Sequence, residues 1–392
     1  MSYRVRCFLA IMLLVCGPAV AATITVERDG TGDFMVLQEA LNAAADGDTV
    51  RLGPGDFTEM PWTRLPGWSW DVRSCGRVMA DDVTIIGAGS ELTRIGPAAF
   101  AANRNLFSPK AITHTEHSGL RLQDLTIRNC YDGVHLSGTL EMENCVVDNN
   151  VIGVFWSASG TGGRISDTSI RGAAPSLAPI ALRISPYAGG GAGILIERCE
   201  VRGAETIIYT PDTTIIDSSF LDSRPGLSKN GSGNLTLHGC TVDVSVIGVI
   251  FALGSNATCE INDCDIAGGL AALDAGEFDG PYGQFIVRNS RLRGGSTAVI
   301  DGGYRPRALL ISGCDIYKGS GPVIRCYSTN DAVTHDLRNN YWNTTSEADI
   351  QSWIIDHNDD PNIPATVLYL PFVGMPVPTE KTSWGDLKAS FR

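Results

Sequence analysis

A six-residue pattern recurs ten times between residues 122 and 342, and this repeat constrains the fold more than any other feature of the 392-residue chain. Each copy reads apolar, any residue, Asn/Asp/Gly, small, any residue, apolar. The copies follow one another at intervals of 19 to 26 residues, with one interval of 31. Repeats of this length are typical of solenoids, in which each unit packs only on its neighbours.

The copies align into three columns of residues. The first apolar column consists of Leu122, Met142, Ile165, Ile196, Ile215, Leu237, Ile261, Val287, Ile311 and Leu337. The small column consists of Leu125, Cys145, Thr168, Cys199, Ser218, Cys240, Cys264, Ser290, Cys314 and Asn340. The second apolar column consists of Ile127, Val147, Ile170, Val201, Phe220, Val242, Ile266, Leu292, Ile316 and Trp342.

The spacing of the columns indicates short strands joined by tight corners. A strand of about three to five residues cannot bury its apolar face alone, so it stacks on the preceding coil at about 4.8 Å. The residue before the small column is Asn, Asp or Gly in nine of the ten copies, with Arg198 as the exception. These residues tolerate the left-handed backbone of a sharp corner. The sequence therefore predicts an all-β fold, a single right-handed parallel β-helix solenoid of about ten coils.

Both ends of the solenoid are predicted to carry a helical cap. Residues 36–45 form an amphipathic pattern that suits a cap on the first coil, and residues 346–357 show helical spacing within a C-terminal region, 346–392. The solenoid itself spans 23–345, with a Pro- and Gly-rich insertion at 173–193. Since caps keep strand edges from recruiting other chains, we expect a monomer.

The N-terminus and the charge indicate an exported protein. Residues 1–22 read as a secretory signal, with Arg4 and Arg6 ahead of a short apolar stretch and a small-residue cleavage site. That stretch is too short to span a membrane. The expected destination is the periplasm, the cell surface or the medium. The net charge of −13 becomes −15 once both arginines are removed, a surface that repels nucleic acid, so no nucleic-acid partner is expected. Acidic sugars are not excluded, because divalent cations can bridge carboxylates.

Nine cysteines remain after the signal, and five of them belong to the small column. The column faces the interior, so a ladder of buried free thiols is the favoured interpretation. Cys240 and Cys264 lie on adjacent coils and are the pair that could instead form a disulfide. No Cys-x-x-Cys pair or regularly spaced His accompanies the cysteines, so no metal site is predicted from them.

A further strand follows each corner by about eight residues, and its outward residues form a strip along the solenoid. The predicted strip consists of His135, Phe155, Tyr209, Ile250, Asp274, Ile300 and Ile324. His135, Phe155 and Tyr209 are predicted to bind substrate, because aromatic rings stack on sugars and a histidine can contact a sugar or act as a general base. The alternative for His135 is a surface residue without a role.

Asp274, Asp301 and Arg325 are the candidate catalytic residues. They occupy nearly the same position on three successive coils, so neighbours would lie about 5 Å apart. Two carboxylates that close can serve as acid and base, or can hold a calcium ion while Arg325 stabilises a negatively charged intermediate. Apart from that calcium ion, no cofactor is expected. The alternative is an Asp301–Arg325 ion pair beside an unrelated aspartate.

Family resemblance supports the fold and leaves the activity open. Residues 29–34, 46–50 and 55–59 resemble the opening of pectin methylesterases and other pectin lyase-like proteins, and the repeats resemble bacterial right-handed parallel β-helix repeat proteins. Residues 339–342 and 358–361 resemble the ending of secreted members. The motifs diagnostic of pectin methylesterases, polygalacturonases, alginate epimerases and calcium pectate lyases are absent. Two functions remain, a secreted protein that binds or processes polysaccharide and a non-catalytic surface or structural solenoid.

Overall fold

Three long sheets wrap around one elongated core. The structure, a computed structural model, describes residues 21–64, 71–100, 109–114, 119–158, 162–174, 177–186, 193–209, 212–252, 257–275, 284–302, 308–327 and 332–376. Within these ranges the chain winds as a parallel β-solenoid of about 11 turns. The predicted all-β solenoid is confirmed, and most of the predicted signal lies outside the described residues.

Each coil contributes in turn to the three sheets. The first sheet consists of Thr23–Val26, Thr49–Leu52, Val83–Ile86, Leu120–Gln123, Leu140–Glu143, Gly163–Ser166, Ile194–Glu197, Thr213–Ile216, Leu235–His238, Thr258–Asn262, Gln284–Arg288, Leu309–Ser312, Val333–Asp336 and Ala365–Leu368. The second sheet consists of Gly55–Phe57, Thr93–Ile95, Thr126–Arg128, Val146–Asn150, Ser169–Gly172, Glu200–Arg202, Ser219–Leu221, Thr241–Val244, Asp265–Gly268, Arg291–Gly294 and Asp315–Lys318. The third sheet consists of Trp62–Arg64, Asp71–Arg77, Lys110–His114, Asp132–Ser137, Ile152–Ala158, Ile180–Pro186, Glu205–Ile208, Leu227–Asn230, Ile247–Ala252, Ala271–Asp274, Ile300–Asp301, Ile324–Arg325 and Ile354–Ile355.

The three sequence columns form the core as predicted. Members of the first apolar column pair from strand to strand in the first sheet, as Leu122 with Met142 and Met142 with Ile165 do. The second apolar column pairs in the same way in the second sheet, and all three columns are buried. All ten corner residues have a φ between 47° and 64°, including Arg198 at 51°. The turn chemistry and the apolar alternation therefore specify the same register.

Replacing Arg198 with asparagine should stabilise the protein by about 0.5–1 kcal/mol. A long side chain in the left-handed region costs about 1–2 kcal/mol, whereas Asn tolerates that backbone. The change also removes the partly exposed ion pairs of Arg198 with Asp167, at 2.7 Å, and with Glu197, at 3.1 Å, and such surface pairs contribute about 0–1 kcal/mol. Denaturant unfolding measures the difference. Arg202→Asn is the control, since Arg202 lies in a strand and pairs with Asp222, so its loss should give no gain. An Arg198 variant no more stable than this control would contradict the strain argument.

Both predicted helices are present in shorter form. The first, α1, spans Leu37–Ala43 and packs against strands Thr23–Val26 and Asp71–Arg77 of the first coils. The second, α2, spans Glu347–Ser352, and its N-cap Ser346 accepts a hydrogen bond from the backbone N–H of Asp349. The chain then extends, because the β-branched pair Ile354–Ile355 joins the third sheet beside Ile324–Arg325.

The segment 173–193 contains a regular coil strand. Ile180–Pro186 pairs with Ile152–Ala158 on one side and with Glu205–Ile208 on the other. The extra length of this repeat therefore lies around that strand, and residues 175–176 and 187–192 are outside the described ranges. The strand places one functional candidate, Arg183, that the repeat alignment did not include.

Candidate functional site

One outward column of the third sheet runs along the solenoid and contains His135, Phe155, Ile250 and Asp274 of the predicted strip. In order of coils, it consists of Arg77, Thr113, His135, Phe155, Arg183, Ile207, Ser228, Ile250, Asp274, Asp301, Arg325 and Ile355. Thr113 and Ser228 are nevertheless buried. The residues that alternate with the column residues, such as Val134, Leu182 and Leu273, are buried. At about 4.8 Å per coil, the distance from His135 to Arg325 is roughly 40 Å.

The predicted strip departs from the observed column at three positions, by one residue at Ile300 and Ile324 and by two residues at Tyr209. Ile300 and Ile324 point into the core, and Asp301 and Arg325 take the outward positions beside Asp274. Ile207 rather than Tyr209 aligns with Arg183, because the register shifts between Ile180 and Leu182. The apolar runs in these strands contain two adjacent large residues each, so hydrophobicity alone did not reveal which one faces inward.

The three predicted substrate-binding residues lie together in a stack that also includes Arg183. The rings of His135 and Phe155 are 4.6 Å apart and nearly parallel, at 11°. The guanidinium carbon of Arg183 lies 5.5 Å from the centre of the Phe155 ring and 5.6 Å from that of Tyr209. We call His135, Phe155, Arg183 and Tyr209 the aromatic stack. It holds a cation between two rings on the surface of an acidic protein.

Arg183 differs from most arginines of the described surface in that no described carboxylate pairs with it. Its contacts there are the two aromatic faces, and its Nε donates no hydrogen bond to the described residues. Cation–π contacts fix the plane of the guanidinium but leave its charge unneutralised. A guanidinium held in this way presents a planar fork that suits a carboxylate or a sulfate.

Beneath the stack lies a buried ion pair that orients His135. Lys110 and Asp132 are 4% and 3% exposed, and their side chains form a salt bridge. The same carboxylate oxygen, Oδ2 of Asp132, lies 2.9 Å from Nδ1 of His135. Nζ of Lys110 lies 3.3 Å from that same imidazole nitrogen. Asp132 therefore fixes one edge of the imidazole while Phe155 covers its face.

The electrostatics keep the carboxylate charged and the imidazole neutral. Burial alone would raise the pKa of Asp132, but the charge of Lys110 and the contact with His135 hold it below its usual value. Burial lowers the pKa of His135, and the favourable contact with Asp132 only partly opposes this effect. At neutral pH the stack thus carries one exposed charge, that of Arg183.

The candidate catalytic residues form a second cluster, which we call the aspartate cluster: Asp274, Asp301, Arg325 and Tyr327. Asp274 pairs with Asp301, and Asp301 with Arg325, in the register of the sheet. Oδ2 of Asp301 accepts hydrogen bonds from Nη2 of Arg325, at 3.1 Å, and from the Tyr327 hydroxyl, at 3.0 Å. The Asp301–Arg325 ion pair of the structural alternative is therefore present. Tyr327 was missed, although strand alternation places it two residues beyond Arg325 on the same face.

The two clusters do not form one site. Six coil steps separate His135 from Asp274 in the outward column, a distance of about 30 Å. Ile207, Ser228 and Ile250 lie between the clusters. A ligand that touches both must therefore be a polymer lying along the solenoid axis.

The cysteines belong to the interior. All nine in the described ranges are buried and free. Burial raises the pKa of Cys145, Cys199 and Cys314 to about 12, which keeps them as neutral thiols at physiological pH. Within the described residues, no group of three or more His, Cys, Asp or Glu side chains is arranged to hold a metal ion.

These features define the class of protein as a parallel β-helix solenoid, without assignment to a specific enzyme family. Residues 110–266 match the family model described as "Right handed beta helix region". None of the curated proteins is significantly similar to the chain. Among the described residues, no helix is long and apolar enough to cross a membrane.

Three solved structures illustrate how far the likeness extends. The mannuronan C-5 epimerase A-module of Azotobacter vinelandii is 14% identical, with 87% of this chain and 94% of that chain covered and a TM-score of 0.42. Pectin methylesterase from carrot is 12% identical, with 80% and 90% covered and a TM-score of 0.34. Pectate lyase Pel9A is 12% identical, with 91% and 79% covered and a TM-score of 0.36. At these values no activity or site can be transferred to this chain.

Proposed function

We propose that this is a secreted protein that binds polysaccharide along the outward column of the third sheet, with the aromatic stack as its principal contact. The observation that carries the proposal is the Arg183 guanidinium, held between Phe155 and Tyr209 without a described carboxylate partner. Aromatic faces contact the apolar faces of sugars, and a guanidinium donates several hydrogen bonds to their oxygens. The signal-like N-terminus and the acidic composition support an extracytoplasmic location.

The outward column also has the shape that a polymer requires. Its coil spacing of about 4.8 Å is close to the length of one sugar in an extended chain, so successive sugars can lie on successive coils. Between the clusters it offers Ile207, Ser228 and Ile250, none of which carries a charge. Ser228 is itself buried and donates a hydrogen bond to the carboxylate of Glu205, so a linear polysaccharide over these coils would lie on uncharged column residues beside that carboxylate.

Tyr209→Ala should weaken polysaccharide binding about tenfold, or about 1.4 kcal/mol, because it removes one of the two rings that hold Arg183. Affinity electrophoresis of the full chain against soluble neutral and acidic polysaccharides measures the effect. Tyr317→Ala is the matched control, since Arg291 lies 5.9 Å from that ring on the second sheet, away from the outward column. Equal losses in both variants, or no binding by the unmodified protein, would leave the structural solenoid as the function.

A second candidate function, cleavage of the bound polysaccharide, rests on the aspartate cluster. Asp274 and Asp301 are direct partners on adjacent coils, and Arg325 and Tyr327 hold Asp301 in the charged, hydrogen-bonded form. Two carboxylates on adjacent coils can serve as the acid and the base of a cleavage reaction. A calcium ion between the two carboxylates is the other arrangement open to this pair.

If the aspartate cluster is catalytic, Asp274→Asn should lower the rate of polysaccharide cleavage at least about 100-fold, since a general acid or base contributes about 10²–10⁴-fold. New reducing ends and unsaturated products are measured with calcium and then with a chelator. Asp243→Asn, an exposed change on the second sheet, should leave the rate unchanged. Cleavage that persists in the Asp274 variant would reduce the cluster to a structural ion pair.

A further inference from the structure

The outward column distributes its charge unevenly, and this distribution deepens the proposed function by selecting among polysaccharides. In the described part of the column the cations are Arg77, Arg183 and Arg325. Arg325 lies 3.1 Å from Asp301 and is neutralised by it, whereas Arg183 has no described carboxylate partner. Arg77 lies four coil steps from Arg183, about 19 Å, so within the described part of the column Arg183 is an isolated seat for an anion.

The positions next to this seat are unsuited to further anions. Toward the C-terminal coils Arg183 is followed by Ile207, Ser228 and Ile250, and then by the carboxylate of Asp274. With one sugar on each coil, a fully charged polymer would place carboxylates over two isoleucines and beside an aspartate. Each of these carboxylates would lose hydration without gaining a partner.

The opposite direction gives the same result. On the N-terminal side Phe155 and then His135 follow Arg183, and both present ring faces or edges. One coil further, Thr113 and Lys110 are both buried, and Lys110 forms a salt bridge with Asp132. The next cation of the column is Arg77, another coil beyond. Burial also lowers the pKa of His135, so the histidine adds no second cation at neutral pH.

We infer that the ligand is a mostly neutral polysaccharide with isolated acidic sugars, in which one carboxylate or sulfate binds Arg183 and neutral sugars lie over the coils from Ile207 to Ile250. This inference rests on the proposed function. It predicts that a sparsely charged polymer binds more tightly than either a neutral or a fully charged one. The acidic group provides the ion pair with Arg183, and the neutral sugars avoid unpaired charge over the apolar coils.

The test compares polymers of different charge density on the full chain. The probes are glucuronoxylan and gellan, which carry widely spaced carboxylates, their carboxyl-reduced forms, and polygalacturonate, which carries one carboxylate on every sugar. We expect glucuronoxylan or gellan to bind at least about tenfold more tightly than its reduced form and than polygalacturonate. The advantage over the reduced form should shrink with added salt, because an exposed ion pair is screened.

Substitutions test whether Arg183, rather than the rest of the surface, binds the acidic group of the polymer. Arg183→Gln should abolish the advantage of the carboxylated polymer and leave binding of its reduced form within about twofold. Arg171→Gln is the matched control, since it removes an exposed arginine from the same coil on the second sheet. Asp274→Asn should strengthen polygalacturonate binding, because it removes a carboxylate from the path of that polymer.

The outcomes distinguish this inference from the proposed function. Binding of polygalacturonate as tight as that of the sparsely charged polymers would overturn the inference while supporting polysaccharide binding. An equal effect of Arg183→Gln on carboxylated and reduced forms would also overturn it. Failure of every probe, charged and neutral, would instead contradict the proposed function. Circular dichroism and the thermal midpoint of each variant show whether the solenoid is intact.

Discussion

Asp132→Ala is expected to lower the free energy of unfolding by about 3–5 kcal/mol, the largest effect of any single polar substitution that we propose. The change removes the carboxylate that lies between Lys110 and His135, and both Lys110 and Asp132 are buried. Removing one partner of a buried ion pair leaves the other charge in a medium that solvates it poorly. Denaturant unfolding of the full chain measures the loss.

The double variant Lys110→Met with Asp132→Leu provides the decisive comparison. Replacing both members of a buried pair with apolar side chains of similar size is often nearly neutral, so the double variant should be more stable than Asp132→Ala. Asp243→Ala, at an exposed position of the second sheet, should change the stability by less than about 0.5 kcal/mol. A double variant as unstable as the single one would show that Asp132 stabilises the fold through His135 rather than through Lys110.

Acidification should destabilise the C-terminal coils through His335. Its ring is fully buried, its Nδ1 accepts a hydrogen bond from the backbone N–H of Leu309, and its Nε2 makes no hydrogen bond with the described residues. Burial lowers its pKa from 6.5 to about 4, although the nearby carboxylate of Asp356 opposes the shift. The folded protein therefore holds this histidine neutral at pH values where the unfolded chain already binds a proton.

The sign of the effect follows from that difference. Between pH 6.5 and about 4 the unfolded state binds more protons at this site, so the free energy of unfolding falls as the pH falls, by about 3 kcal/mol in total. Above pH 6.5 the contribution is constant. His335→Asn keeps an acceptor for Leu309 without a titrating ring, and its stability should depend less on pH across this window. Parallel curves for wild type and His335→Asn would contradict the assignment.

The sequence determined the fold at residue level because two independent signals agreed. The apolar columns, such as that of Leu122 and Met142, fixed which residues face inward, and the Asn, Asp and Gly residues fixed where the backbone turns. Even Arg198, which lacks the corner chemistry, adopts the corner backbone, since the coils above and below impose it. Where both signals were present, the predicted register is correct.

The candidate site was predictable only where one residue of a strand is clearly apolar and the next clearly is not. His135 and Asp274 met that condition, and the structure places them outward on the third sheet. Arg183 was missed because its coil differs in length from the others, so the repeat alignment did not include Ile180–Pro186. The buried contact of Lys110 with Asp132 was also missed. It joins residues 22 positions apart, and no local sequence pattern predicts such a charge pair.

The stacked coils also fix the separation of the aromatic stack from the aspartate cluster as a whole number of steps. Because each coil packs only on its neighbours, the chain could gain or lose one complete coil between Arg183 and Asp274 without altering either cluster. Such a change would lengthen or shorten their separation by about 4.8 Å, close to one sugar of an extended polymer. The number of coils between the two clusters therefore sets the distance between them in steps of about one sugar. Proteins of this architecture can match polymers of different repeat length by gaining or losing whole coils.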